Sequence, residues 1–365
     1  MIPCPLETAL ESGIRSGTAR LNPDTGTWEI RGLELGREVL RSRIFDLVTL
    51  ESDPLASVTD LSPGVRTMVQ RGLDVYAQWF NVDPERHRRI RPVMAAPFSP
   101  QPVADLEAWI EAKARVHLAV TEACPSNAAR AFASDFPRDI VFDLVGILPS
   151  LRPDIAKLVD PLLGFVTDTE ESVLRAALAQ AMLAARLERI FDRPAPPEAT
   201  LRRALEDAVR DARMSRAEAI ATLSVLLLAG GMTSVALSGL LALLEGDRDL
   251  VRQIDSGEIR WADVIEEALR WMRLPADRQR VALQDIHLDG QTILTGSRLV
   301  LDINAMNVDP DTFASPEKFD PRRRDGEHVS FGAGLHRCIG RHLARSILRI
   351  GAIAFLEMRA AAQSQ

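Results

Sequence analysis

The most apolar stretch of the chain, residues 219–244, has to be surrounded by something, and its polar content indicates by what. Thr222, Ser224, Gly230, Gly231, Thr233, Ser234, Ser238 and Gly239 interrupt it. That density of hydroxyls and glycines suits a helix buried in protein better than a bilayer span. Ser215-Arg216-Ala217-Glu218 has the Ser-x-x-Glu form of a capping box, and Gly246 supplies a stop, so one helix is expected over 215–245.

The rest of the chain supplies a helical body to bury it. Apolar residues recur at spacings of three and four, as in Leu174, Leu178, Ala181, Met182 and Ala185. They predict helices at 32–43, 102–124, 152–165, 169–191, 199–213, 262–273 and 342–358. Strand-like segments are few: 27–31, 280–282, 286–288 and 297–304, with Asp289-Gly290 as a hairpin turn. The fold class is mainly α with a small β region. Arg193-Pro194-Ala195-Pro196-Pro197 breaks the helical pattern but is short enough to be a loop, so residues 1–365 read as one domain without internal repeats.

Composition narrows the function classes. The 46% hydrophobic and 26% charged content is that of an ordinary soluble globule, and a formal charge of -7 argues against a general nucleic-acid binder. Met1-Ile2-Pro3-Cys4-Pro5-Leu6-Glu7 has neither the basic start nor the apolar run of a signal peptide, and no membrane anchor is expected. Three cysteines, Cys4, Cys124 and Cys338, cannot form a disulfide framework, which fits a reducing cytoplasm.

The chemistry concentrates at Phe331-Gly332-Ala333-Gly334-Leu335-His336-Arg337-Cys338-Ile339-Gly340. Glycines let the backbone take positive φ and approach a flat object closely, and the start of the following helix offers N–H groups that favour sulfur as the anion. A lone sheltered thiolate suits a metal ligand. His336, Cys338 and His342 are also spaced acceptably for zinc. Two glycines inside the central helix, in Ala229-Gly230-Gly231-Met232-Thr233-Ser234, cost about 1 kcal/mol each relative to alanine and need a reason, of which close helix packing is the simplest. Glu267-Ala268-Leu269-Arg270 puts an acid and a base on one helix face.

The spacing Phe-x-x-Gly-x-His-x-Cys-x-Gly resembles the haem-ligand loop of the cytochrome P450, or haem-thiolate, family, and family-like segments run from about Thr27 to the C-terminus. The resemblance implies a soluble bacterial-type fold in which a long central helix lies over the haem and the cysteine loop lies beneath it, with a short N-terminus and no fused reductase. Cys338 would be the axial ligand of haem b, iron protoporphyrin IX, with Phe331, Gly332, Gly340, Ala229 and Gly230 around the cofactor. Haem propionates are buried anions that need cationic donors, and His87, Arg91, Arg280 and His336 match those positions. Arg88 and Arg89 read as exposed basic residues, and Pro92 should kink or shorten the helix that carries them. Glu267 and Arg270 would lock the stretch running through Asn307-Val308-Asp309-Pro310 and Phe319-Asp320-Pro321-Arg322, with Arg322 as third member of the ion-pair network.

In the family the central helix opens locally over the iron. Thr233 there matches the threonine that holds the oxygen ligand or its water, while Met232 replaces the usual acid that relays protons. The implied enzyme is a P450 monooxygenase acting on a small organic substrate, in bacterial secondary metabolism, with dioxygen and electrons from a ferredoxin-type carrier steered by Arg88, Arg89, Arg337, Arg341 and Arg345. It would be a cytoplasmic monomer. Met232 leaves room for a peroxide-driven or substrate-assisted oxidation, and more distantly for a haem-binding protein without turnover. Substrate contacts are expected within residues 48–80, 152–191, 226–233 and 274–279, where Asp277, Arg278 and Gln279 hint at a polar or charged substrate group.

Overall fold

The computed structural model describes residues 19–47, 61–80, 84–121, 128–162, 170–274, 277–288 and 291–363. Cys4, Cys124, Asp83, Pro275 and the Asp289-Gly290 turn lie outside them. In chain order the elements are β1 (Ala19–Leu21), β2 (Trp28–Ile30), α1 (Leu33–Arg41), β3 (Phe45–Leu47), α2 (Pro63–Phe80), α3 (Pro84–Ala95), α4 (Pro100–Thr121), α5 (Ala128–Val145) and α6 (Arg152–Val159). There follow α7 (Glu170–Phe191), α8 (Thr200–Arg210), α9 (Arg216–Gly246), α10 (Arg248–Asp255), α11 (Trp261–Trp271), β4 (Arg278–Ala282), β5 (Ile286–Leu288), β6 (Gln291–Ile293), β7 (Arg298–Leu301), α12 (Ile303–Asn307) and α13 (Arg341–Gln363). The chain is mainly helical with a small β region, and it divides into two compact units.

The first unit comprises Met1–Val48 and Leu243–Arg341. Its five-stranded sheet has the order β1-β2-β7-β4-β3, with β2 and β7 parallel and the other pairs antiparallel. β5 and β6 form a separate two-stranded ladder. Alternation along the strands sends Ile30, Leu299 and Leu301 into a core shared with Leu33, Ile303, Met306 and Phe313. The segment expected as one strand over 297–304 is shorter: Asp302 accepts the Ala305 N–H at 2.8 Å, ends the strand and caps α12.

The second unit comprises Thr49–Ala242 and His342–Gln365 and is helical among its described residues. α9 is long and apolar enough to cross a membrane by length and composition, yet Ala219, Ile220, Leu223 and Leu227 are buried against α2, α7 and their neighbours. Its start is the expected capping box. The Ser215 N–H donates to Glu218 Oε2 at 2.7 Å, and the Glu218 N–H donates to Ser215 Oγ at 3.2 Å. α2 and α7 meet at backbone level, since a Cβ on Gly72 would lie 1.8 Å from the Ala177 carbonyl oxygen.

Two expectations about α3 change. It runs three residues beyond Pro92 to Ala95, so the proline does not shorten it; Ile90 and Val93 on either side are buried, which offsets the missing hydrogen bond. Arg89 is no free cation. Together with Arg86 it ion-pairs with Glu218 at 2.8 Å each, and it donates to the Arg213 carbonyl at 2.7 Å, whereas Arg88 is exposed as expected.

Burial pushes the Glu218 carboxyl up, but hydrogen bonds from Arg89 and Ser215 and the charge of Arg86 overcome it and bring it down to about 2. A depressed carboxyl stabilises the fold fully above its unfolded value near 4.5 and loses that contribution as pH falls toward 2. Glu218→Gln should therefore lower stability at neutral pH by ~2 kcal/mol and flatten the acid limb of denaturation between about pH 5 and pH 2, read by urea melts across that range.

Candidate active site

The cysteine loop is built by backbone geometry. Gly332 and Gly334 both hold φ +67°, and a Cβ on Gly334 would lie 2.5 Å from the Leu40 carbonyl oxygen, so the loop lies directly on the end of α1. The Cys338 N–H donates to the Phe331 carbonyl at 2.8 Å and closes the loop. Three residues later α13 begins. Arg341 reaches back from that helix to the Cys338 carbonyl at 3.3 Å. Cys338 is exposed, Phe331, Gly332, His336 and Gly340 are half-buried, and His336 sits in the turn Gly334–His336.

Arg280 faces the interior from β4 and is 4% exposed. Among the described residues no carboxylate lies within ion-pair distance of it; its guanidinium donates to the neighbouring Gln279 carbonyl at 2.7 Å. Burial and the nearby Arg278 charge push it down to about 10, with partial relief from Asp46. Arg278 is two residues earlier in the same strand and lowered by burial, and it feels the opposing charges of Cys338 and Asp277. A buried cation with no carboxylate at ion-pair distance among the described residues is suited to an external anion. An exposed thiol on a glycine loop and a buried arginine fit a flat, carboxylate-bearing haem.

In the second unit, His87 and Arg91 are both half-buried and one turn apart on α3. Burial first, and the Arg91 charge second, lower the imidazole of His87. On α9, Gly230 has the simple reason: a Cβ would lie 3.1 Å from Val141 on α5. Gly231 has open space around it. The helix runs unbroken through Ala229–Ser234 rather than opening, and Ser234 donates to the Ser134 carbonyl at 2.8 Å and to the Gly230 carbonyl at 3.4 Å. Thr222, Ser224 and Ser238 also turn their hydroxyls onto carbonyls four residues back. Thr233 does not: among the described residues its hydroxyl has no hydrogen-bond partner, and it is half-buried beside half-buried Met232 and exposed Ala229.

The ion-pair network differs in one member. Glu267 and Arg270, 5% and 3% exposed, form a bidentate pair with both contacts at 2.7 Å. Arg270 also donates to the carbonyls of Asn307, Pro316 and Lys318. The third member is Arg323, whose side chain is 8% exposed and whose Nε lies 3.3 Å from Glu267 Oε1. Arg322 points outward to Glu258 and Gln253. Its own N–H is taken by Asp320 Oδ1, a tight turn that aims the next side chain, not this one, at α11.

The family model for cytochrome P450 matches residues 261–358. Cytochrome P450 105C1 of a Streptomyces species is 30% identical over 278 residues, spanning 74% of this chain and 70% of that protein. The chain belongs to the cytochrome P450 family. The 2-hydroxy-5-methyl-1-naphthoate 7-hydroxylase of Streptomyces carzinostaticus is 28% identical over 348 residues, 90% of this chain and 81% of that one. A solved structure of P450BioI with an acyl carrier protein ligated to hexadec-9Z-enoic acid superposes with a TM-score of 0.79 at 22% identity, over 98% of this chain and 91% of the other. As a P450 the chain is an oxidoreductase of the monooxygenase type with a cysteine-ligated haem iron. Among the described residues no three His, Cys, Asp or Glu side chains gather to hold a metal ion, so the zinc reading of His336, Cys338 and His342 has no ligand set behind it.

Sequence reasoning missed Arg323, although it stands in the same short run as Arg322; only the turn at Asp320 separates their directions. Arg323→Ala should cost ~3 kcal/mol or more by leaving Glu267 under-compensated in a buried site, while Arg322→Ala should cost under ~1 kcal/mol. Urea melts of the two variants side by side check the assignment.

Proposed function

We propose that this P450 hydroxylates a small organic substrate in bacterial secondary metabolism, in the cytoplasm and as a monomer, with electrons delivered by a ferredoxin-type carrier. Cys338 would hold the haem iron, and the observation that carries this reading is the exposed thiol on a loop closed by its own amide and shaped by two positive-φ glycines. Arg280, Arg91, His87 and His336 would hold the propionates; the buried guanidinium of Arg280, with no carboxylate at ion-pair distance among the described residues, supports this most directly. When bound, haem supplies activation of dioxygen for insertion into a C–H bond.

In the second unit, the protein's own part falls to α9. Thr233 has the hydroxyl that does not fold back onto the helix, which leaves its Oγ1 able to hold and pass a proton. Met232 cannot relay a proton. A second reading follows from that residue: oxidation driven by peroxide, or assisted by a polar group of the substrate, needs less from the missing acid. Asp277, just before β4, and Arg278 and Gln279 at its start favour a substrate with a polar or charged group. Exposed Arg88 and Arg337, with Arg341 and Arg345 a turn apart on α13, are cations to which an acidic carrier would be steered despite the overall negative charge.

Reduced protein under carbon monoxide should give the Soret band of a thiolate-ligated haem, and Cys338→Ala should abolish both the band and turnover. If Cys338→Ala keeps that band, the ligand is elsewhere. Met232→Glu should raise carrier-driven turnover by ~100-fold, the lower part of what a positioned proton donor contributes. A fall in product formed per electron consumed would instead show that the native relay is unimpaired.

A further inference from the structure

Residues 326–329 are irregular, yet side chains from two helices and the segment itself fix the backbone just before the cysteine loop. Asn307, the last residue of α12 and 1% exposed, accepts the Val329 N–H through Oδ1 at 2.8 Å and donates from Nδ2 to Ser330 Oγ at 2.7 Å. Ser330 Oγ donates onward to the Leu269 carbonyl of α11 at 2.6 Å. His328 Nδ1 accepts the Ser330 N–H at 3.1 Å, which fixes the ring proton on Nε2, 3.3 Å from Glu266 Oε2 on α11. Two successive backbone N–H groups and one hydroxyl are thereby tied to α11 and α12.

The next residue is Phe331, whose carbonyl accepts the Cys338 N–H. We infer that His328, Ser330 and Asn307 are positioning residues for Cys338: they hold still the carbonyl to which its amide is bonded. The inference rests on Cys338 being the haem ligand, and it assigns the ligand's placement to three side chains outside its loop. Without them the Val329 and Ser330 N–H groups would be orphaned in a buried place, and the segment would have to shift to find water. A shift at Phe331 is passed toward Cys338 through that hydrogen bond.

Two readouts test this apart from activity. In haem-free protein, amide hydrogen exchange at Cys338, followed in peptides spanning 331–340, reports on the closing bond. In holoprotein, the share of the carbon monoxide complex with a thiolate-type rather than a thiol-type Soret band reports on the sulfur. His328→Ala should speed Cys338 exchange by ~10-fold, the factor that 1.4 kcal/mol commands, and move the complex toward the thiol form. His328→Asn, whose Oδ1 can stand in for Nδ1, should restore most of both. Should His328→Ala fail to fold, Ser330→Ala against Ser330→Thr makes the same comparison. A fall in melting temperature with both readouts within twofold of the parent would overturn the inference and leave a purely structural role. Failure of the ligand reading looks different: Cys338→Ala would then retain the thiolate band, while the exchange measurement would still report on the loop.

Discussion

A buried carboxylate shared by two guanidinium groups organises the least regular part of this molecule. Glu267 is held by Arg270 and Arg323, and it also accepts the Asp320 N–H at 2.9 Å, so its oxygens are satisfied from α11 and from the stretch after α12. The two cations pass the constraint on. Arg270 binds carbonyls at Asn307, Pro316 and Lys318, Arg323 binds those at Ala314, Ser315 and Lys318, and both guanidinium groups lie over the Phe313 ring. A segment with hardly any helix or strand cannot satisfy its own backbone. Here charged side chains supply the missing donors, and the aromatic face between them adds cation–π attraction.

Such an arrangement is brittle by design of its physics. Each charge is stable in its dry site only while the others are present, so removing one leaves the rest uncompensated. The hydrogen bonds around Asn307 and Ser330 extend the same logic with neutral groups, from α11 and α12 into the segment that ends at Phe331. Both systems use α11 as their anchor. A helix whose buried face is partly charged thus fixes the loop bearing the cysteine, a task that apolar packing alone would leave loosely specified.

The sequence made the framework legible where signals were local. The capping box at Ser215 and Glu218, the Glu267 and Arg270 spacing and the glycines around Cys338 all correspond to contacts within a few residues. It was less legible where the deciding contact was distant. α5 contains Pro137, which argues against a helix locally, yet Phe132, Phe136 and Ile140 are fully buried and hold it. Arg322 and Arg323 are equivalent as letters, and only the turn at Asp320 distinguishes them. Arg89 looked like a surface charge because its partner, Glu218, lies 129 residues away. Hydroxyl direction on α9 is also invisible in sequence: Thr233 and Ser234 are neighbours, and only one folds back onto the helix.

The contact of Gly72 with the Ala177 carbonyl has a kinetic side. Arg71 on α2 and Glu188 on α7 are joined across 117 residues at 2.8 Å. Closing a flexible loop of that length costs ~4 kcal/mol of chain entropy before any packing repays it. α2 and α7 therefore form a long-range pairing whose closure cost comes before the packing that repays it. Backbone-level fit, which a side chain at Gly72 would forbid, concentrates the reward for that closure into a single well-matched face.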